Sequence, residues 1–306
     1  MAIQTPSGQS YSPPPDAFSV MSEEAQATPA KRKPEEIARE RVMILLALVA
    51  LTPVALKVVE LPSRNLSITF LGSALSITFT TASLLIVMLP ALVCAGVDWV
   101  LRAHPNVQNG GVSFVFPFWI APGFMALLMA LLLTRIPVWP VWVMGLLVGA
   151  AILGMLVLAE YSVISLQDSG YAVARLALTA ITYLIAFGLL VLVYGTRERS
   201  VITATLTFAI IFGLALDLMS PHIIGLRQAA VYAFVVALIT AQMTWALNYW
   251  NISNWSAAVL LLAVFYLLVG LAQQHYQDRV TGPVLVEFAV VAAIAILAAV
   301  MLANVR

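Results

Sequence analysis

Charge is what this sequence has least of: Asp, Glu, Lys and Arg make up 9% of its 306 residues, against 62% hydrophobic. So little polar side chain does not coat a water-soluble globule, and hydrocarbon is left as the main solvent. The formal net charge is +1, and the only basic tract is Lys31-Arg32-Lys33. A charge balance of this kind gives no pull toward nucleic acid, and no nucleic-acid partner is expected. Cysteine is nearly absent too. Cys94 stands alone inside an apolar stretch, which excludes an intramolecular disulfide or a thiolate metal cluster and leaves packing as its role.

Chemical motifs are equally scarce. The chain has no phosphate loop, no GxGxxG and no G-x-S-x-G elbow, which argues against nucleotide-dependent and serine-hydrolase chemistry. Three histidines, His104, His222 and His275, have carboxylates nearby, yet no H-x-x-x-H or H-x-x-E-H spacing exists, so a zinc site on them is a remote reading. No cofactor and no catalytic residue are expected. Asn65, Asn251 and Asn254 each open a glycosylation sequon, a pattern short enough to arise by chance.

Long apolar runs fill the rest. Residues 1–33 carry Pro6, Pro13, Pro14, Pro15 and Pro29 among Ser, Gln and Thr, a composition that reads as a disordered tail with no secretory apolar core. Pro34, followed by Glu35 and Glu36, has the proline-then-acid pattern of a helix start. From there the integral membrane domain, 34–306, reads as about nine spans. They lie near 42–59, 81–101, 116–134, 138–159, 172–194, 201–219, 228–248, 254–272 and 283–304. Each is close to the ~20 residues that cross ~30 Å of hydrocarbon. The expected fold is an all-α polytopic helix bundle. Pro53 and Pro90 fall inside spans, where prolines kink a helix but are ordinary in membranes.

One segment breaks the helical pattern. Leu66-Ser67-Ile68-Thr69-Phe70 recurs unchanged as Leu75-Ser76-Ile77-Thr78-Phe79, on either side of Gly72-Ser73. With Gly72 and Ser73 as the two turn residues, 65–80 forms a β-hairpin in which Ser67 faces Thr78, Thr69 faces Ser76 and Ile68 faces Ile77. A single helix over 68–101 would instead be roughly 50 Å long, well beyond the bilayer core. The hairpin belongs on the membrane surface, because an open sheet edge does not sit in hydrocarbon.

Lys31, Arg32, Lys33, Arg39 and Arg41 place the N-terminus in the cytoplasm by the positive-inside rule. The remaining loops are evenly basic and add little. Trp99 and Trp119 fall at one interface, and Trp139, Trp142, Trp245, Trp250 and Trp255 at the other, as aromatic belts do. Counting spans puts Asp98, Glu160, Arg175, Asp217 and Glu287 at helix ends on the tail's side. All three histidines fall in loops there. Arg175 and Asp217, on neighbouring antiparallel spans, differ in depth by about one turn and form a plausible ion pair. Ionisable groups in spans are costly and are usually paired or turned inward, which makes these five the functional-site candidates. The blander reading is that they snorkel to water at headgroup depth.

Leu61-Pro62-Ser63-Arg64, Asp98-Trp99-Val100-Leu101-Arg102-Ala103-His104-Pro105, Thr196-Arg197-Glu198-Arg199-Ser200, Leu247-Asn248-Tyr249-Trp250 and Val269-Gly270-Leu271-Ala272-Gln273-Gln274-His275 together resemble an uncharacterised family of bacterial multi-pass membrane proteins, a domain of unknown function. The resemblance spans residues 42–304. It implies a bacterial inner-membrane location and draws attention to Asp98, His104, Asn248 and His275, but brings no activity. The leading expectation is therefore a non-enzymatic scaffold or interaction partner, with the lipid bilayer and other membrane proteins as partners. A small-solute or ion permease using Arg175 and Asp217, which would need a hydrated cavity reaching them, is the alternative. A membrane-embedded metal enzyme comes third.

Overall fold

A computed structural model describes residues 34–59, 64–70, 73–108, 115–164, 171–196, 199–219, 225–250 and 252–276, with isolated helical positions between 290 and 301. The tail 1–33 and most of the ninth expected span, 283–304, lie outside the described residues, as do His222 and Glu287.

Eight helices in the described residues are long and apolar enough to cross a membrane. We label them α1 (Pro34–Val58), α2 (Thr81–Leu101), α3 (Ile120–Leu133, entered through a 3-10 turn Phe116–Trp119), α4 (Trp139–Val163), α5 (Tyr171–Gly195), α6 (Ser200–Leu218), α7 (Leu226–Asn248) and α8 (Asn254–Tyr276). Large apolar side chains cover the outside, with Leu176 71% and Val87 68% exposed. A surface of this kind is stable against lipid and not against water. Short connections make successive helices antiparallel, which gives the bundle a tail-side end and a hairpin-side end.

The helices pack as two overlapping groups. α1 to α4 lie together, α5 to α8 lie together, and the two groups are joined by α4, packed on α5, and by α3, which touches α5 and α6 as well as α2 and α4. α3 is the most enclosed span and α1 the least. Apolar residues recurring at helical spacing supply the buried seams, such as Leu85, Leu89, Val93, Val97 and Val100 on α2. Where helices come closest, side chains are small: a Cβ placed on Gly96 would lie 2.2 Å from Leu45 Cδ1 of α1, so glycine sets that separation. Gly225, just ahead of α7, has φ +87°, a conformation open to glycine and strained for side chains with a Cβ.

Two strands, β1 (Arg64–Phe70) and β2 (Ser73–Phe79), pair antiparallel between α1 and α2. Their register corrects the expected one. Ser67 is opposite Ser76, Ile68 opposite Leu75 and Phe70 opposite Ser73, so Ser73 is a paired residue of β2 and not one of the two turn residues. The duplicated pentapeptide allows both registers. They differ by an even slip of two residues, which leaves the alternation of apolar and hydroxyl positions in phase. Thr80 then starts α2 through a reciprocal capping box: its Oγ1 accepts the Ser83 N–H at 3.2 Å, while Ser83 Oγ accepts the Thr80 N–H at 2.8 Å.

Two helices outrun their hydropathy. α4 continues past 159 to Val163, and α8 past 272 to Tyr276. Glu160 therefore sits in the last turn of α4, near the helix end as expected, and His275 in the last turn of α8 rather than in a loop.

Candidate functional site

The tail-side ends of α5, α6 and α8 meet around the last carbonyl of α6, and α4 packs on α5. A helix leaves its final four carbonyls without intrahelical partners, and Leu218 is the last residue of α6. Its oxygen accepts two side-chain donors, Arg175 Nη2 of α5 at 2.8 Å and Gln273 Nε2 of α8 at 3.0 Å. A guanidinium at a helix C-terminus also meets the negative end of the macrodipole. One positive charge and one amide thus tie three helices together.

Asp217 precedes that carbonyl by one residue. Its Oδ2 accepts from Thr182 Oγ1 of α5 at 3.4 Å, and Thr182 is fully buried. The expected contact ion pair is corrected here. Arg175 commits Nη2 to the Leu218 backbone and makes no contact ion pair with Asp217; the two interact through space. What the guanidinium reaches is a terminal carbonyl, which has two lone pairs and no intrahelical partner.

Glu160 of α4 is 3% exposed, and its Oε1 is fully buried with no hydrogen-bond partner among the described residues. It lies within electrostatic reach of both Asp217 and Arg175. An unpaired carboxyl inside protein costs several kcal/mol if charged, which makes its retention the anomaly of this structure. Three of the five expected site residues, Glu160, Arg175 and Asp217, thus converge.

The other described candidate is elsewhere. Asp98 of α2 pairs through Oδ2 with Arg102 one turn on, and its Oδ1 is buried without a partner. His104 is buried at 6%, with its ring 4.7 Å from that of Tyr161, edge to face. His275 lies 6.3 Å from the Tyr232 ring. Among the described residues no three His, Cys, Asp or Glu side chains gather as a metal site requires.

At the hairpin-side end, Tyr194 Oη donates to the Leu247 carbonyl at 2.8 Å, and Asn248 donates to Thr203 Oγ1. These bonds sit at the chain end opposite the cluster. Trp142 is 2% exposed, so it belongs to the packed interior rather than to an aromatic belt, and the Lys57 ammonium stands 4.5 Å over its ring.

Three crevices open elsewhere: beside Lys57 and Trp142, along Arg227 and Tyr232, and between α2 and α3 at Pro90 and Cys94. Arg175 and Asp217 line none of these three. Sequence reasoning left Thr182 and Gln273 out of the site. Thr182 follows Arg175 by seven residues, two turns along the same helix face, and that spacing was the available signal. Gln273 stands in the Gln273-Gln274-His275 run, where a polar cluster closes an apolar helix.

A family model described as "Protein of unknown function (DUF5656)" matches residues 61–302. Comparison with curated proteins and with solved structures gives no match.

Proposed function

Since the chain belongs to this family of unknown function over residues 61–302, which assigns it no chemistry, we propose a role from its residues: an integral membrane permease for a small solute or ion. Its site is the Glu160, Arg175 and Asp217 cluster on the tail side. The observation that carries this reading is Glu160, a carboxyl 3% exposed and unpartnered inside an apolar bundle. Ionisable groups in membrane spans that face the bundle interior mark solute and ion pathways.

Polar groups that are few and peripheral favour a scaffold. Glu160 weakens that argument, because at the last turn of α4 it is buried against protein rather than snorkelling to water. A purely structural role accounts well for Arg175 and Gln273, which cap α6. It leaves the buried carboxyl of Glu160 without a purpose, since an apolar residue of similar volume would be neutral or stabilising there. Exchange with water requires the helix ends around Glu160 to part, a collective helix motion of the kind permeases use.

The location that fits this reading is a bacterial inner membrane with the tail in the cytoplasm and the hairpin on the opposite surface, held there by its unpaired edges. The experiment is solute and ion flux in sealed vesicles containing the reconstituted full chain. Asp217→Asn, which keeps size and the Thr182 contact, should abolish flux while the protein still purifies as a folded species. Unchanged flux in that variant, or no flux above empty vesicles for any small ion or solute tried, rules the permease out and returns the weight to a scaffold.

A further inference from the structure

We propose that the ligand of this cluster is a single positive charge, a monovalent alkali cation or a proton, taken up at Glu160. The inference rests on the permease reading for its site and adds the class of ligand. It follows from counting charges and donors.

Glu160 and Asp217 each bring one negative charge when ionised, and Arg175 brings one positive charge that a guanidinium does not give up. The three together carry one net negative charge, enclosed between helices of apolar sequence. Burying a net charge is costly, whereas a neutral set of interacting groups is tolerated. One added positive charge brings the set to neutrality. A divalent ion overshoots it, and an anion doubles the imbalance.

The donors show where that charge goes. Arg175 Nη2 and Gln273 Nε2 both point to the Leu218 carbonyl, and Thr182 Oγ1 points to Asp217. None of these reaches Glu160, so its carboxyl is the acceptor left over. Among the described residues, the titratable and charged groups on the surrounding elements are engaged elsewhere or absent. α3 has no ionisable residue along Ile120–Leu133. On α1, Arg41 donates to the Trp99 carbonyl and lies over its ring. On α2, Arg102 pairs with Asp98. His104 reaches α4 at Tyr161, next to Glu160, and its Nδ1 accepts the Asn106 N–H at 3.1 Å. His275 of α8 sits against Tyr232 of α7.

The test is thermal unfolding of the full chain in detergent, with choline chloride exchanged for sodium or potassium chloride at constant ionic strength, and separately with pH lowered in choline chloride. Wild type should gain stability. A gain with sodium or potassium at fixed pH identifies an alkali cation, and a gain with acid alone identifies a proton; both support the inference. Glu160→Gln, similar in shape without the charge, should weaken the response at least about tenfold in concentration. Asp217→Asn removes the same charge from another helix and should do likewise, which keeps the test sound if Glu160→Gln does not fold. A wild type indifferent to all three conditions, or an unchanged response in both variants, overturns the inference. Stabilisation without vesicle flux would remove the permease reading and keep this one. Flux that Asp217→Asn abolishes, in a chain whose stability none of the three conditions changes, would do the reverse.

Discussion

Arg175 of α5 places its Nη2 2.8 Å from the carbonyl oxygen of Leu218, the final residue of α6. The same oxygen accepts Gln273 of α8, so one backbone atom joins three helices through one charged and one neutral donor. Arg175→Met removes the donor and the cluster's one positive charge, and should lower stability by about 2 kcal/mol. Gln273→Leu removes a neutral donor and should cost about 0.6 kcal/mol, the mean for interhelical polar contacts in membranes. Equal losses in detergent unfolding would show that the charge has no part in holding α6.

The start of α2 depends on Thr80. Its side chain and that of Ser83 satisfy each other's backbone N–H groups, at the point where the strand β2 gives way to a helix. Thr80→Ala should cost about 1 kcal/mol, and Thr80→Ser should cost much less because the hydroxyl remains. Chemical unfolding of the two variants side by side checks this.

Gly96 sets the spacing of α1 against α2. A methyl there meets Leu45, itself 1% exposed, at 2.2 Å. Gly96→Ala should therefore cost about 1–3 kcal/mol through overpacking. Shortening the neighbour with Leu45→Val in the same background should recover part of that loss. A double variant no more stable than Gly96→Ala would contradict the contact.

The hairpin register is open to a direct check. With Cys94 replaced by Ser, paired cysteines at positions 67 and 76, which lie opposite each other, should form a disulfide readily. Cysteines at 67 and 78, opposite in the register with Gly72 and Ser73 as turn residues, should form it slowly. The reverse order of rates would restore that register.

Much of the architecture was legible from apolar run length alone, because a bilayer demands ~20 apolar residues per span. The tail-side boundaries of α4 and α8 were not. Glu160 ends a hydropathy window but does not end a helix, whose backbone bonds continue to Val163. Glu160 keeps its expected place near a helix end, in the last turn of α4, and its burial against protein is what run length did not show. Likewise, counting residues from the turn after α5 brought Arg175 and Asp217 to one depth. It did not foresee that a terminal carbonyl would take the guanidinium, since backbone acceptors are the same at every position of a sequence. The repeat that revealed the hairpin also hid its register, because both pairings keep apolar residues in phase.

The central claim is that the Glu160 site exchanges with water on the tail side. A single cysteine at position 160, in a background with Cys94 replaced by Ser, should react with a small charged thiol reagent added from that side. Its rate should far exceed that of a cysteine at Leu153, which is fully buried two turns deeper on the same helix face. Reaction at 160 from the tail side alone is the result the account predicts. Labelling at 160 no faster than at 153 would contradict it and leave Glu160 sealed inside the bundle.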